Sequence, residues 1–421
     1  MRWVLLGYMF LFIHRPFEVW PVLGDLHIER IYMLCAILAL AVYGGKKWIP
    51  NWQHFAYLAF AAAVAFCWLS SRWADKGQDV VENWFKILVF YLLIVLVVHD
   101  EGGLRHLLLG FLVIMTLYMM HSLREYVGGR HVFRMGIARL IGVDKAMGDP
   151  NTFGASIVYA LPFVTPFWAC KPSRLLRWFL AGYVALSFVC IGLTGSRSSF
   201  IGLLLCAAVT VLRSRWRLPL LVLSVLAAPA MWAALPPSLQ NRFETIIHPE
   251  VGPANAIESS EGRLIGLQTG FELFGRYPLT GVGPGAWRPA TGNPIESHNL
   301  CGQLLGEMGA AGVITFAAIL VGFWANLRAV RRAYRLHPEW DRDFVYHVAG
   351  AVGLAVLLLL FEGNFGHNLF RYSWLWYGGF LIIARHCVRQ REEAPAVDEC
   401  AGDVEGERGA LAPWYAAEPG G

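Results

Sequence analysis

The sequence predicts an all-α membrane protein, a polytopic bundle of about twelve transmembrane helices with one large external loop holding a short amphipathic helix. Three observations carry this expectation. Apolar runs of spanning length recur from the first residues to about 388. Hydrophobic residues fill 56% of the 421 positions and charged residues only 15%, where a soluble domain carries about a quarter. A single long polar excursion, 236–297, interrupts the apolar pattern.

Each crossing needs about twenty mostly apolar residues, with allowance for tilt. The candidate spans are 2–14, 28–43, 54–70, 83–99, 105–122, 152–170, 175–194, 198–213, 217–235, 299–327, 344–361 and 372–388. The first is short. No small-x-small cleavage site follows it, and His14-Arg15-Pro16 is a poor one, so it reads as an uncleaved helix. The tenth is long enough to project beyond a bilayer. Residues 1–390 thus read as one membrane domain, and 391–421, rich in Glu, Ala, Gly and Pro, as a disordered cytoplasmic tail. The eight cysteines are scattered, mostly within apolar runs, as small buried hydrophobes rather than a disulfide framework.

Basic residues near helix ends set the orientation. Alternate loops hold Lys46-Lys47, Lys171/Arg174/Arg177, Arg213/Arg215/Arg217, the arginines of 328–342 and those of 385–391. Both termini are therefore expected in the cytoplasm and 236–297 outside. Short outer loops such as 362–370 carry almost no Lys or Arg. The outer loop 121–151 breaks the rule with Arg124, Arg130, Arg134, Arg139 and Lys145. It reads equally as a loop that tolerates charge and as a basic surface attracting phosphates.

The residues that could do chemistry lie at the outer helix ends. Arg197 follows Gly195-Ser196, where Ser196 or Ser198 can cap a helix, so guanidinium and free amides would converge on an anion. Its bland alternative is a snorkelling interfacial arginine. Arg263 opens an amphipathic helix, with Ser260 as cap and Leu264, Leu267, Phe271 and Phe274 at helical spacing. A cation in a first turn opposes the helix dipole and calls for a counter-charge, from a bound anion or from Glu258 or Glu261. His298 stands where the loop re-enters the membrane, with Asn299 and Glu296 able to orient its ring. Glu307, farther into that run, is costly there and calls for a partner. A second His-Asn-Leu at 367–369 makes His367 a decoy or an accessory residue. Before the sixth run, Asp149-Pro150-Asn151 reads as turn chemistry in which Asn151 or Thr152 caps the helix.

Taken together, Gly262-Arg263, the turn Pro278-Leu279-Thr280-Gly281-Val282-Gly283-Pro284-Gly285, and Ser297-His298-Asn299-Leu300 followed by Glu307-Met308-Gly309-Ala310-Ala311-Gly312 resemble the signature region of the O-antigen ligase family. That family groups ligases, O-antigen polymerases and protein O-oligosaccharyltransferases. Upstream, Thr194-Gly195-Ser196-Arg197-Ser198 resembles its other arginine motif, and Gly148-Asp149-Pro150-Asn151 a motif of many members. The resemblance spans about 148–312.

It implies transfer of a glycan from undecaprenyl pyrophosphate to an acceptor hydroxyl on the periplasmic face of the bacterial inner membrane. Arg197 and Arg263 would bind the pyrophosphate, His298 would act as general base, and Asn299, Asp149 and Asn151 would contact substrate. The acceptor stays open between lipid A-core, another saccharide and a protein. Since the donor carries the energy, no cofactor is expected, and no outer carboxylate cluster calls for a metal. No zinc spacing, phosphate loop or dinucleotide fingerprint is present, and nucleic acid is not an expected partner; membrane lipid is. A polysaccharide flippase or transporter, with the charged residues lining a pathway, is the alternative of a different class.

Overall fold

The computed structural model describes residues 1–134, 137–144, 148–214, 217–219, 237–244, 255–293 and 296–393, with isolated positions between 222 and 233. The side chains of 21, 134, 238–239, 242–243 and 255–261 are outside this description. The chain forms helices α1 (Arg2–His14), α2 (Pro16–Val19), α3 (Pro21–Asp25), α4 (Ile28–Val42), α5 (Gln53–Leu69), α6 (Ala74–Val97) and α7 (Glu101–Val127). Then come α8 (Pro150–Ala160), α9 (Val164–Ala169), α10 (Arg174–Thr194) and α11 (Arg197–Arg213). The remainder comprises α12 (Pro237–Glu244), α13 (Asn255–Arg276), α14 (Trp287–Thr291), α15 (Leu300–Leu336), α16 (Phe344–Gly363) and α17 (Ser373–Glu393).

Eleven of the twelve expected apolar runs coincide with helices, and the ninth, 217–235, lies largely outside the described residues. Six helices among the described residues are long and apolar enough to cross a membrane: α6, α7, α8 continued through α9, α10, α15 and α16. The expected count of twelve crossings is therefore matched only in part. Several helices begin where a short polar side chain accepts a hydrogen bond from an amide of the first turn. Asp100 does so for α7, Asp149 for α8, Ser173 for α10, Ser196 for α11, Asn299 for α15 and Asp343 for α16. At α8 the cap is Asp149 rather than the expected Asn151 or Thr152.

Helix α17 is the central post. Residues 372–384 are all buried, as befits a helix apolar on every side. Trp376 packs against Phe90 and Phe12, with ring centroids 4.8 and 5.4 Å apart, and Tyr57 donates to the Trp374 carbonyl at 2.8 Å. The last turns of α17 correct the expected tail boundary. Arg391 belongs to the helix and pairs with Glu101 at 2.9 Å and with Asp343. Residues 394–421 lie outside the described part, so the disordered-tail expectation is not addressed there.

The loop 121–151 holds a two-stranded antiparallel hairpin, β1 (Val132–Arg134) and β2 (Ile137–Arg139). Its Arg139 is 1% exposed and donates to Thr194 O at 2.6 Å and Asn151 Oδ1 at 2.9 Å. Arg130 donates to Val143 O at 2.7 Å. Both bind protein carbonyl groups, so at these two positions the extra charge serves architecture.

The 37 residues of α15 are not one straight helix: Gly309 breaks it, at φ 57° and ψ −153°. The turn 278–285 docks into the break. Val282 N donates to Gly306 O at 2.8 Å and Gly283 N to Glu307 O at 3.0 Å. In return Ala310 N donates to Pro278 O at 2.8 Å and Ala311 N to Leu279 O at 3.1 Å. The backbone groups freed by the break are thereby satisfied, as the membrane interior demands. Glu307 finds its expected partner in the same place, accepting from Gly285 N at 3.2 Å and from Gln303 Nε2 at 3.3 Å. The fit requires glycine. At Gly281, with φ 61°, an added Cβ would lie 2.4 Å from the Glu307 carbonyl carbon, whereas at Gly262 it would meet nothing within 4 Å.

Gly281→Ala is therefore expected to destabilise the purified protein by at least about 2 kcal/mol, from left-handed strain plus the clash. Gly262→Ala should stay within about 0.5 kcal/mol of the parent. Thermal unfolding in detergent compares the two, and equal midpoints would remove the docking role of the turn.

Candidate functional site

Three pairs of sequence motifs, distant along the chain, dock on one another at one end of the bundle. In the first pair, the N-terminus of α8 packs on the N-terminus of α11. Ser199 Oγ donates to Asn151 O at 3.4 Å, and a Cβ at Gly154 would lie 2.7 Å from Ser199 Oγ. In the second, α13 crosses the start of α15 backbone to backbone. A Cβ at Gly270 would come within 2.5 Å of Gly302 O, and one at Gly266 within 3.5 Å of His298 N. Glycine every fourth residue lets the helices approach this closely, as in small-xxx-small packing. The third pair is the turn 278–285 in the break of α15.

These contacts carry the charged groups together. Arg197 starts α11 as expected, behind its Ser196 cap. Arg263 lies in α13 less than one turn before Gly266, so it sits beside the His298 segment. Its guanidinium stacks on the Phe365 ring, 4.9 Å from the centroid. Burial lowers the Arg263 pKa, the Arg197 charge lowers it further, and Glu362 opposes both. Arg197 and Glu362 thus lie near enough to act on the Arg263 charge, and two neighbouring guanidiniums are the kind of pair that suits an anion.

One expectation about Arg263 is overturned. Helix α13 is described from Asn255 onward, so Arg263 lies no earlier than its third turn and Ser260 is inside the helix, not its cap. The helix-dipole argument does not apply there, and the side chains of Glu258 and Glu261 lie outside the described ones. The counter-charge argument rests instead on Arg197.

His298 and His367 are brought together, with ring centroids 5.5 Å apart. Both line a narrow cleft of about 30 Å3, together with Asp149, Ser198, Glu362 and Arg371. That is room for a water molecule. Glu296, expected beside His298, instead places Oε2 3.3 Å from His367 Nε2, while its Oε1 lies 3.2 Å from Arg288. His367 Nδ1 is buried with no hydrogen-bond partner among the described residues. Burial holds the His367 imidazole below its usual pKa range, with Arg371 and His298 acting in the same direction and Glu296 and Asp149 against it. His367 therefore lies beside His298 in the cleft, where an accessory residue would lie.

The supporting residues fall into place as architecture. Asn299 Oδ1 accepts from Gly302 N at 3.0 Å and caps α15, so that oxygen is committed to the helix and not to the imidazole. Asp149 Oδ2 accepts from Thr152 N at 2.9 Å, and Asn151 Oδ1 is taken by Arg139, although both residues line the cleft. Asp149 and Asn151 hold the α8 end in place beside the cleft, and neither is free to turn wholly toward a ligand.

Sequence reasoning missed Glu362 and Arg371. Glu362 is 3% exposed at the end of α16, bonded to Ser198 and lying against Gly202, where an added Cβ would be 2.7 Å from its Oε1. A lone carboxylate at the end of the run 344–361 was the available signal, since such residues need partners. Arg371 lies just past the loop read as nearly free of basic residues, and only the fold brings it to the cleft.

Comparison with known families bears on the segment that holds Arg197, Arg263 and His298. Residues 182–317 match the model of a family described as O-Antigen ligase, a segment running from within α10 to within α15. No curated protein matches the chain. The matched segment contains Arg197, Arg263, His298 and the docked turn, and within this multi-pass chain residues 182–317 are similar to the O-antigen ligase family over the same motifs that carried the resemblance.

Proposed function

We propose that the protein transfers a glycan from undecaprenyl pyrophosphate to an acceptor hydroxyl on the periplasmic face of the inner membrane. The observation that supports this most is the convergence of Arg197, Arg263, His298 and His367 at one end of the bundle. The acceptor oxygen attacks the anomeric carbon and gives its proton to His298. The bond from that carbon to the pyrophosphate oxygen breaks, and the leaving group takes the electron pair. Its developing charge needs guanidinium stabilisation rather than protonation, which is the work of Arg197 and Arg263. The reaction draws on no cofactor or metal, so added chelator should leave it unchanged.

Orientation supports the same reading. Helix α15 starts just past His298 and carries Arg331, Arg332 and Arg335 at its other end, and its stretch after the break at Gly309 alone exceeds the ~30 Å of a bilayer core. The basic cluster and the cleft therefore sit on opposite sides, as the positive-inside rule requires. A cysteine at Arg276 should react with a membrane-impermeant thiol reagent from the periplasm, and one at Arg335 should not. Reverse labelling would place the cleft in the cytoplasm and end the mechanism. The direct assay is transfer in proteoliposomes with a defined lipid-pyrophosphate donor and lipid A-core, glycan and peptide acceptors. Movement of the donor across the bilayer without transfer to any acceptor would make a flippase the better account.

A further inference from the structure

His367 and Arg371 line a second cavity as well, of about 360 Å3, reaching from the cleft toward the end of α1 and the first turns of α6. This cavity is a built polar site. Arg15 is held in a left-handed backbone conformation, φ 47°, and braced by Glu18 at 2.7 Å and Asn83 at 3.1 Å. Gln303, only 8% exposed, donates through Nε2 to Glu307 and leaves its Oε1 with no partner among the described residues. A buried acceptor left unpaired is costly unless a ligand donor meets it. Phe370 and Tyr372 add flat apolar faces to the lining.

The charge balance selects the ligand. Four carboxyl groups, from Asp79, Asp144, Glu296 and Glu307, face two guanidiniums, from Arg15 and Arg371. Arg15 is already paired with Glu18, so the lining offers a pyrophosphate no clustered cation of the kind that Arg197 and Arg263 supply. An uncharged polyol gains from both kinds of group, because each hydroxyl donates to a carboxylate and accepts from a guanidinium or amide. Aromatic faces suit the C–H surface of a sugar ring. The volume lies at the small end of ligand pockets, enough for a sugar ring.

We propose that this cavity is the acceptor subsite, a pocket for an uncharged saccharide ring that presents one hydroxyl to His367 and His298. The assignment rests on the glycosyl-transfer reading, since it names the second substrate of the same site. Its residues set which sugar is accepted, whereas the arginines hold the donor. The shared lining by His367 explains how the two substrates meet: the acceptor enters from the side of α1 and α6 and the donor phosphates from α11 and α13.

The test uses the full chain in proteoliposomes with Asp79→Asn and Gln303→Leu. Asp79 is exposed, so its variant is expected to fold even if the Gln303 change perturbs packing. The expected result is an acceptor KM raised about tenfold in Asp79→Asn, the loss of one good polar contact, with the donor KM within about twofold. An unchanged acceptor KM overturns the proposal, and a raised donor KM in its place assigns the cavity to the donor glycan. A binding arm needs no transfer: saturation-transfer NMR with a panel of soluble neutral oligosaccharides, and phosphorus line broadening with inorganic pyrophosphate. Oligosaccharide binding weakened by Asp79→Asn, with pyrophosphate binding unchanged, supports the subsite. Absence of saccharide binding in the parent overturns it. Saccharide binding without transfer leaves a saccharide pocket in this place, sinks the glycosyl-transfer reading and with it overturns the acceptor role.

Discussion

Replacing Arg263 with alanine is expected to lower glycan transfer about a hundred- to a thousand-fold, at unchanged protein level in the membrane, the usual cost of removing one donor aimed at developing negative charge. The geometry explains why this residue should matter more than an ordinary interfacial arginine. Its guanidinium is stacked on Phe365 and so held in one orientation, and the nearby Arg197 disfavours its charge until an anion binds between them. Arg263→Lys keeps the charge but loses the planar fork that can hold two phosphate oxygens, and should still cost at least about tenfold. Transfer rates in the reconstituted system, beside pyrophosphate binding to purified protein, decide the matter. Full activity in Arg263→Ala would leave Arg197 alone at the site and remove the paired-guanidinium account of the leaving group.

His298→Ala is expected to reduce transfer about a hundred- to ten-thousand-fold while donor binding is retained, because in the proposed mechanism the base acts on the acceptor and the arginines on the donor. The sequence alone gave His367 a much smaller role. With its ring 5.5 Å from that of His298 and its Nε2 beside Glu296, His367→Ala should now cost at least about tenfold as well. The pH behaviour follows from the direction of its shift. A lowered pKa keeps His367 neutral through the physiological range, and it charges only at more acidic pH than an ordinary imidazole. Glu296 favours the charged form, so Glu296→Gln lowers the pKa further and leaves the ring neutral at pH 7. Any loss of kcat in Glu296→Gln at that pH, with the acceptor KM unchanged, therefore reports orientation of the ring, not its charge. If His367→Ala abolishes transfer and His298→Ala does not, the base is His367. If neither change matters, the site does not perform this chemistry.

The helical architecture was legible because its causes are local. Apolar runs long enough to cross a bilayer announce themselves, and polar residues at their starts act as caps wherever they fall. Arg197 was placed rightly at a helix start for this reason. Arg263 was placed wrongly within its helix because the helix already runs through Asn255 and Ser260 offered a plausible false cap. Asn299 and Asp149 were read as ligand-facing, yet local amides compete for the same oxygens and take them.

What the sequence by itself determined was a helical membrane protein, its likeness to a known family over 182–317, and the cation and imidazole proposed for its chemistry, since these depend on residue type and local pattern. Which groups share a site was decided only by the tertiary structure. Glu362 and Arg371 lie far along the chain from Arg263 and His298, and their encounter depends on helix crossings set by Gly266, Gly270 and Gly302 and on the turn locked into the break at Gly309. The partner of Glu296 was decided in the same way. It sits two residues from His298 in the chain but pairs with His367, because the capped start of α15 fixes where each side chain can reach. Adjacency along a chain limits distance, but direction comes from packing.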